Sequence, residues 1–274
     1  MDLVGALVSD AEETLKAAAE GRARGPITGL RVLDRMLGEA LAPGLHMFSG
    51  DPGAGKTSLS LQVCGACGCP ALYVTAEQTP LELFRRHVAR ATRTPLDDLR
   101  AAVPQKVRAL AEQTAAATPM VAFLDATAGA ASEGQMMELA EALRERFRAR
   151  DVLLVVDSAQ VWARGLFSGS EYDVLQSGLS ALGAVSSRLR APIIVLSHRS
   201  RASTRANDPL SAAKGTADFE HMGETVIHLS RQKDSGPAGA ERTVQAHIAK
   251  NRHGVSDYTV NLIFDAEIQE FREG

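Results

Sequence analysis

Residues Gly50-Asp51-Pro52-Gly53-Ala54-Gly55-Lys56-Thr57 fit the pattern G-x-x-x-x-G-K-[ST] in full, with Ser58 directly after it. An apolar run precedes the pattern and a helix-forming run follows it, the setting that a phosphate-cradling loop requires. Three glycines let the backbone curl so that its N–H groups face a phosphate, helped by the positive end of the following helix. Lys56 is then placed to reach the β- and γ-phosphates of a nucleotide, and the Thr57 hydroxyl to hold Mg²⁺. The ligands implied are ATP and Mg²⁺.

Further candidates sit where apolar runs end. Val152 to Val156 reads as a buried strand and delivers the Asp157 carboxylate to its C-terminal end, the place of the second Mg²⁺-associated group in such proteins. Ala71 to Thr75 is a second such run, and Glu77 follows it, placed to polarise a water attacking the γ-phosphate. The competing reading of Glu77 is helix capping, because Thr79-Pro80 opens the next helix. Pro192 to Ser197 ends at His198, a candidate γ-phosphate sensor or a solvated loop residue. Lys250 and Arg252, one residue apart at the end of a strand-like run, present two cations to one side; an anion or a charged, aggregation-resistant edge would use them. Cys64, Cys67 and Cys69 crowd one segment, where buried thiols compete with zinc or redox chemistry.

The elements that must position these residues alternate. Strands are expected at Leu45 to Phe48, Ala71 to Thr75, Met120 to Leu124, Val152 to Val156 and Pro192 to Ser197, with helices at Lys56 to Cys67, Pro80 to Ala91, Glu133 to Ala149 and Tyr172 to Leu189. That order implies an α/β fold with a mostly parallel twisted sheet and helices on both faces. Runs at Thr225 to Leu229, Thr243 to Ala249 and Tyr258 to Phe264 predict an antiparallel C-terminal extension. An amphipathic helix is expected within residues 1–25, spanning Leu3 to Ala18 and docked either on its own body or on a neighbouring subunit, ahead of a single domain over residues 26–274.

Bulk properties narrow the class less. The chain has 274 residues, 45% of them hydrophobic, and a formal net charge of -3, which excludes a chain coated with positive charge for wrapping nucleic acid but allows local basic loops. The longest apolar runs are too short to span a membrane and the N-terminus has no basic leader, so a cytoplasmic protein is expected.

The order of these pieces resembles the RecA-like motors of the DnaB helicase and RadA/Sms repair groups over residues 27 to 272. Thr28-Gly29-Leu30 with Leu33-Asp34 is similar to the segment ahead of the phosphate loop in both groups, and Ala71-Leu-Tyr-Val-Thr-Ala-Glu77 to the strand bearing the catalytic glutamate. Asp157-Ser-Ala-Gln160 resembles the Walker B ending of the RadA group. Ser197-His-Arg-Ser-Arg201 resembles the helicase sensor motif with His for Gln, and Lys250-Asn-Arg-His-Gly254 the KNR-G motif.

The resemblance implies a RecA-like P-loop ATPase assembled as a ring, usually of six subunits, with Lys250 and Arg252 acting on the neighbour's γ-phosphate. Single-stranded DNA would be held by loops at Arg164 to Tyr172 and Arg199 to Lys214, with Arg199, Arg201, Arg205 and Lys214 as phosphate contacts or as ordinary solvated residues. Absence of the groups' accessory domains implies a stand-alone motor, and no loader or primase is specified. A DNA helicase is the leading expectation. A RadA-like repair ATPase and a regulatory ATPase acting on proteins remain alternatives, the latter favoured by an aromatic content of 4%; a small-molecule kinase leaves Glu77 and the paired cations without a task.

Overall fold

A computed structural model describes residues 25–197, 222–232 and 241–274. The expected N-terminal helix, His198, and the basic residues Arg199, Arg201, Arg205 and Lys214 lie outside the described residues.

The described residues form a nine-stranded sheet in the order β3-β2-β4-β5-β1-β6-β7-β8-β9. Its strands are β1 (Gly44–Gly50), β2 (Ala71–Thr75), β3 (Val121–Asp125), β4 (Leu153–Asp157), β5 (Pro192–Leu196), β6 (Thr225–Arg231), β7 (Glu241–Asn251), β8 (Tyr258–Asp265) and β9 (Glu270–Glu273). Pairing is parallel from β3 through β6 and antiparallel from β6 to β9. The first of the three C-terminal strands therefore continues the parallel sheet beside β1, and the antiparallel extension starts one strand later than its sequence suggests.

The central strands β2, β4 and β5 are buried at every position because both of their faces are covered. Tyr73, Leu153, Val155, Ile194 and Leu196 belong to one core cluster. Their neighbours Leu72, Val74, Leu154, Val156, Ile193 and Val195 belong to the cluster on the other face. The helices are α1 (Arg31–Met36), α2 (Lys56–Ala66), α3 (Pro80–Thr92), α4 (Leu96–Ala101), α5 (Pro104–Ala117), α6 (Glu133–Phe147), α7 (Ala159–Arg164) and α8 (Glu171–Leu189). α2 contributes Leu59, Leu61 and Val63 to the first cluster. α6, α7 and α8 contribute Met136, Trp162 and Leu182 to the second.

Local chemistry starts and stops these helices. Thr79 caps α3 by accepting from the Glu82 backbone, with Pro80 at the first helical position. Ser132 and Gln135 form a reciprocal capping box at α6. α2 has no side-chain cap; Gly55 stands at its N-cap with φ 90°. Its first N–H groups, which lack helical partners, stay available to a ligand.

Thr28, Gly29 and Asp34, singled out in the sequence, close a small knot ahead of β1. The Asp34 carboxylate accepts from the Thr28 backbone and hydroxyl, each at 2.6 Å, and from Gly29 N at 3.2 Å. Burial pushes this carboxyl above its usual range, and the Thr28 and Gly29 hydrogen bonds pull the other way.

Candidate nucleotide-binding and hydrolysis site

The loop after β1 turns on glycines at positive φ, 147° at Gly50, 74° at Gly53 and 90° at Gly55. Two of them are also required by space. A Cβ on Gly50 would collide with the Leu229 carbonyl of β6, and one on Gly55 would lie 2.6 Å from the Phe271 ring. Lys56 folds back over the loop and donates to the carbonyls of Gly50 at 2.9 Å and Asp51 at 3.1 Å. Burial lowers the Lys56 ammonium from its usual range, opposed by the negative charges of Asp157, Asp51 and Glu77. The ammonium thus has acidic neighbours and a carbonyl resting place that a phosphate could replace.

Thr57 and Asp157 meet although 100 residues separate them: Thr57 Oγ1 donates to Asp157 Oδ2 at 2.9 Å. Tyr73, buried in β2, donates its hydroxyl to the same oxygen at 2.8 Å. Burial, then the Asp157 charge, pushes the Tyr73 phenol well above its usual range, so it remains a donor. Glu77 accepts a hydrogen bond from Ser158, the residue after Asp157. It precedes the α3 cap, which Thr79 supplies. Lys56, Thr57, Ser58, Glu77, Asp157 and Ser197 line a common cleft of about 330 Å³. Among the described residues no three His, Cys, Asp or Glu side chains converge on a metal-sized site. A hydroxyl and one carboxylate suit Mg²⁺, which keeps waters and takes substrate phosphates as ligands.

Lys250 and Arg252 lie at the other end of the sheet. Lys250 pairs with Val226 and Asn251 with Thr225, near the start of β6, whereas Gly50 of the loop pairs with Leu229. Four residues of strand, roughly 13 Å, separate the two edges. The turn carrying Arg252 is tightly built. Asn251 Nδ2 donates to the Met36 carbonyl at 2.8 Å, while Asn251 Oδ1 accepts from His253 N at 3.1 Å. Glu224 faces Arg252 at 3.6 Å and His253 at 3.0 Å, and its carbonyl accepts from Arg252 N at 3.0 Å.

Comparison with known proteins identifies this architecture. Residues 25–273 match the sequence model of the DnaB-like helicase C terminal domain. The chain belongs to that family. The DNA repair protein RadA of Mycobacterium tuberculosis (strain CDC 1551 / Oshkosh) is 25% identical over 254 residues, covering 89% of this chain and 42% of the relative. RadA of Haemophilus influenzae is 28% identical over 232 residues, covering 83% of this chain and 40% of the relative. The chain thus spans about two fifths of the length of these curated relatives. Among solved structures, one described as an ATPase domain superposes with a TM-score of 0.81 at 19% identity, covering 100% of this chain and 99% of that one. A DnaB-like replicative helicase, solved in a study of its interactions with primase, gives 0.77 at 20% identity over 100% of this chain and 67% of that one. These structures share the RecA-like fold.

Within this DnaB-type domain the cleft contains residues that sequence spacing did not single out. Arg242 of β7 donates to the Gly53 carbonyl at 2.6 Å and lies over the Phe264 ring. Gln269, at the turn between β8 and β9, accepts from Ser58 at 2.7 Å and Arg86 at 3.1 Å. The last hairpin therefore walls the cleft, locked to α2 where Gln62 donates to the Phe271 carbonyl and accepts from its N–H, both at 2.7 Å. A polar residue in register on α2, such as Gln62, is the one local signal of this docking. Cys64, Cys67 and Cys69 are free and buried, as small thiols in the core between α2 and β2. No described helix is long and apolar enough to cross a membrane.

Proposed function

We propose that this DnaB-type domain is a Mg²⁺-dependent ATPase that works in a ring on single-stranded DNA as a helicase motor. The observation that carries the reading is the division of charge across the sheet. Lys56, Thr57, Asp157 and Glu77 gather at one edge, and Lys250 and Arg252 project from the opposite one. A subunit so built cannot bring its own Arg252 to its own cleft, and a neighbour can.

In this reading Lys56 leaves the Gly50 and Asp51 carbonyls for the nucleotide's phosphates, and the bare N-terminus of α2 binds the same charge. Thr57 and Asp157 hold the ion, with Tyr73 fixing the carboxylate. Mg²⁺, when bound, supplies charge neutralisation on the phosphates. Glu77 orients the attacking water and accepts its proton on the carboxylate that Ser158 now positions. His198 senses the γ-phosphate. Arg252, with Lys250, stabilises charge at the neighbouring site. Residues 1–25 serve as the helix joining one subunit to the next. Arg199, Arg201, Arg205 and Lys214 contact the DNA phosphates in the pore.

Subunit mixing tests the shared site. Lys56→Ala and Arg252→Ala chains should each be inactive alone and recover part of the wild-type turnover when mixed, because some interfaces then hold an intact loop and an intact arginine. Wild-type turnover in Arg252→Ala alone, or no recovery on mixing, would overturn the shared site. A RadA-like repair role is the second reading, favoured by the RadA relatives; preference for branched over single-stranded DNA would select it.

A further inference from the structure

The three cysteines take no part in the cleft, and two of them are arranged for chemistry of their own. Cys67 caps the C-terminal end of α2, and Cys69 follows two residues later in the turn into β2. Cys69 Sγ donates to Cys67 Sγ across 3.7 Å, so the two sulfurs are in contact. Gly68 between them has φ 78°, and no atom lies within 4 Å of where its Cβ would stand. The turn is tight and faces open space on that side. Cys69 is 7% exposed and Cys67 2%, beside an exposed Gly68.

We propose that Cys67 and Cys69 are a redox modification site that closes reversibly to a disulfide on meeting a hydroperoxide. Cys67 Sγ attacks the peroxide, the O–O bond breaks, and Cys67 becomes a sulfenic acid as one water leaves. Cys69 Sγ then displaces the sulfenic oxygen as a second water, forming the S–S bond. The two sulfurs lose two electrons, hydrogen peroxide gains them, and both thiol protons end in water. A thiol reductant reverses the step by exchange.

The order of attack follows from the surroundings. The hydrogen bond from Cys69 holds the Cys67 thiol below its usual range against the opposing effect of burial. The same bond and burial push Cys69 far above its own, which keeps it the protonated donor of the pair and leaves the first attack to Cys67. Cys64 has its thiol pushed up by burial and is left as a bystander. Closure also changes the seat of the chain ahead of β1: the Cys67 carbonyl accepts from Ile27 N at 3.3 Å, and Gly29 packs on Ala66.

Hydrogen peroxide is the probe. The folded full chain is treated, quenched, denatured and alkylated, then weighed intact and after trypsin, whose cuts at Lys56 and Arg85 leave the three cysteines on one peptide. The wild type should lose the mass of two hydrogens and take one alkyl group in place of three, with full recovery after a thiol reductant. Cys64→Ser should still lose two hydrogens, and Cys67→Ser and Cys69→Ser should not. Three alkylatable thiols after treatment, a gain of oxygen alone, or loss of the effect in Cys64→Ser would each overturn the assignment.

Discussion

His46 and His87 are imidazoles whose burial holds each at a pKa of about 4, against 6.5 when free. His46 donates through Nε2 to the Ala42 carbonyl at 2.8 Å, and its Nδ1 has no partner among the described residues. His87 meets the Thr118 hydroxyl at 2.7 Å, with the Arg90 charge adding to the effect of burial. The folded pKa lies below the unfolded one, so the unfolded chain binds more protons between the two values and stability falls as pH drops through that window. Above it neither histidine contributes, and at its lower end each has cost about 3 kcal/mol. Between a pH of about 7.5 and about 5.5 the loss is about 1.3 kcal/mol per histidine, or about 2.6 kcal/mol together. That is a large part of a typical folding free energy of about 5–15 kcal/mol. Urea unfolding at both pH values measures it. His87→Gln, which keeps a polar group near Thr118, should remove half of the pH-dependent loss whatever it does to stability at the higher pH. A wild type with the same stability at both values, or a variant retaining the full loss, would refute burial as the origin of the shifts.

Other outcomes follow from the cleft and the opposite edge. Glu77→Gln should bind nucleotide normally and lose turnover by about 10²–10⁴-fold, the scale of a missing general base, in single-turnover hydrolysis. Tyr73→Phe removes a donor from a buried carboxylate and should cost about 1.5–3 kcal/mol in urea unfolding; an unchanged midpoint would mean that Asp157 finds another donor. Glu224→Gln loosens the turn that carries Arg252 and should lower turnover with unchanged nucleotide affinity, while adding nothing to Arg252→Ala. An additive double variant would show that Glu224 acts elsewhere.

The phosphate loop and Asp157 were legible because their chemistry is local: glycines needed at positive φ, and a carboxylate at the end of a strand buried on both faces. The same burial made β2, β4 and β5 stand out as apolar runs. α5 carried no comparable signal, since of its residues only Thr114 is fully buried and the helix is mostly solvated. β9 is four residues long with Phe271 alone buried, too short to read as a strand. Tyr73, Arg242 and Gln269 reach the cleft or its Asp157 carboxylate across 84 to 211 residues of chain, a closeness that spacing cannot express. In the KNR-G segment the cations were legible as charges, whereas Asn251 and Gly254 needed the structure: Asn251 ties the turn to Met36, and a Cβ on Gly254 would strike the same carbonyl.

Steady-state ATP turnover of the purified chain, with and without single-stranded DNA at low and moderate salt, tests the central claim most directly. A DNA-driven motor predicts strong stimulation that weakens as salt rises, because the contacts are to phosphates, and its loss in Lys56→Ala. Turnover that depends on Lys56 and is indifferent to DNA at every salt would contradict the account and point to an ATPase that acts on protein.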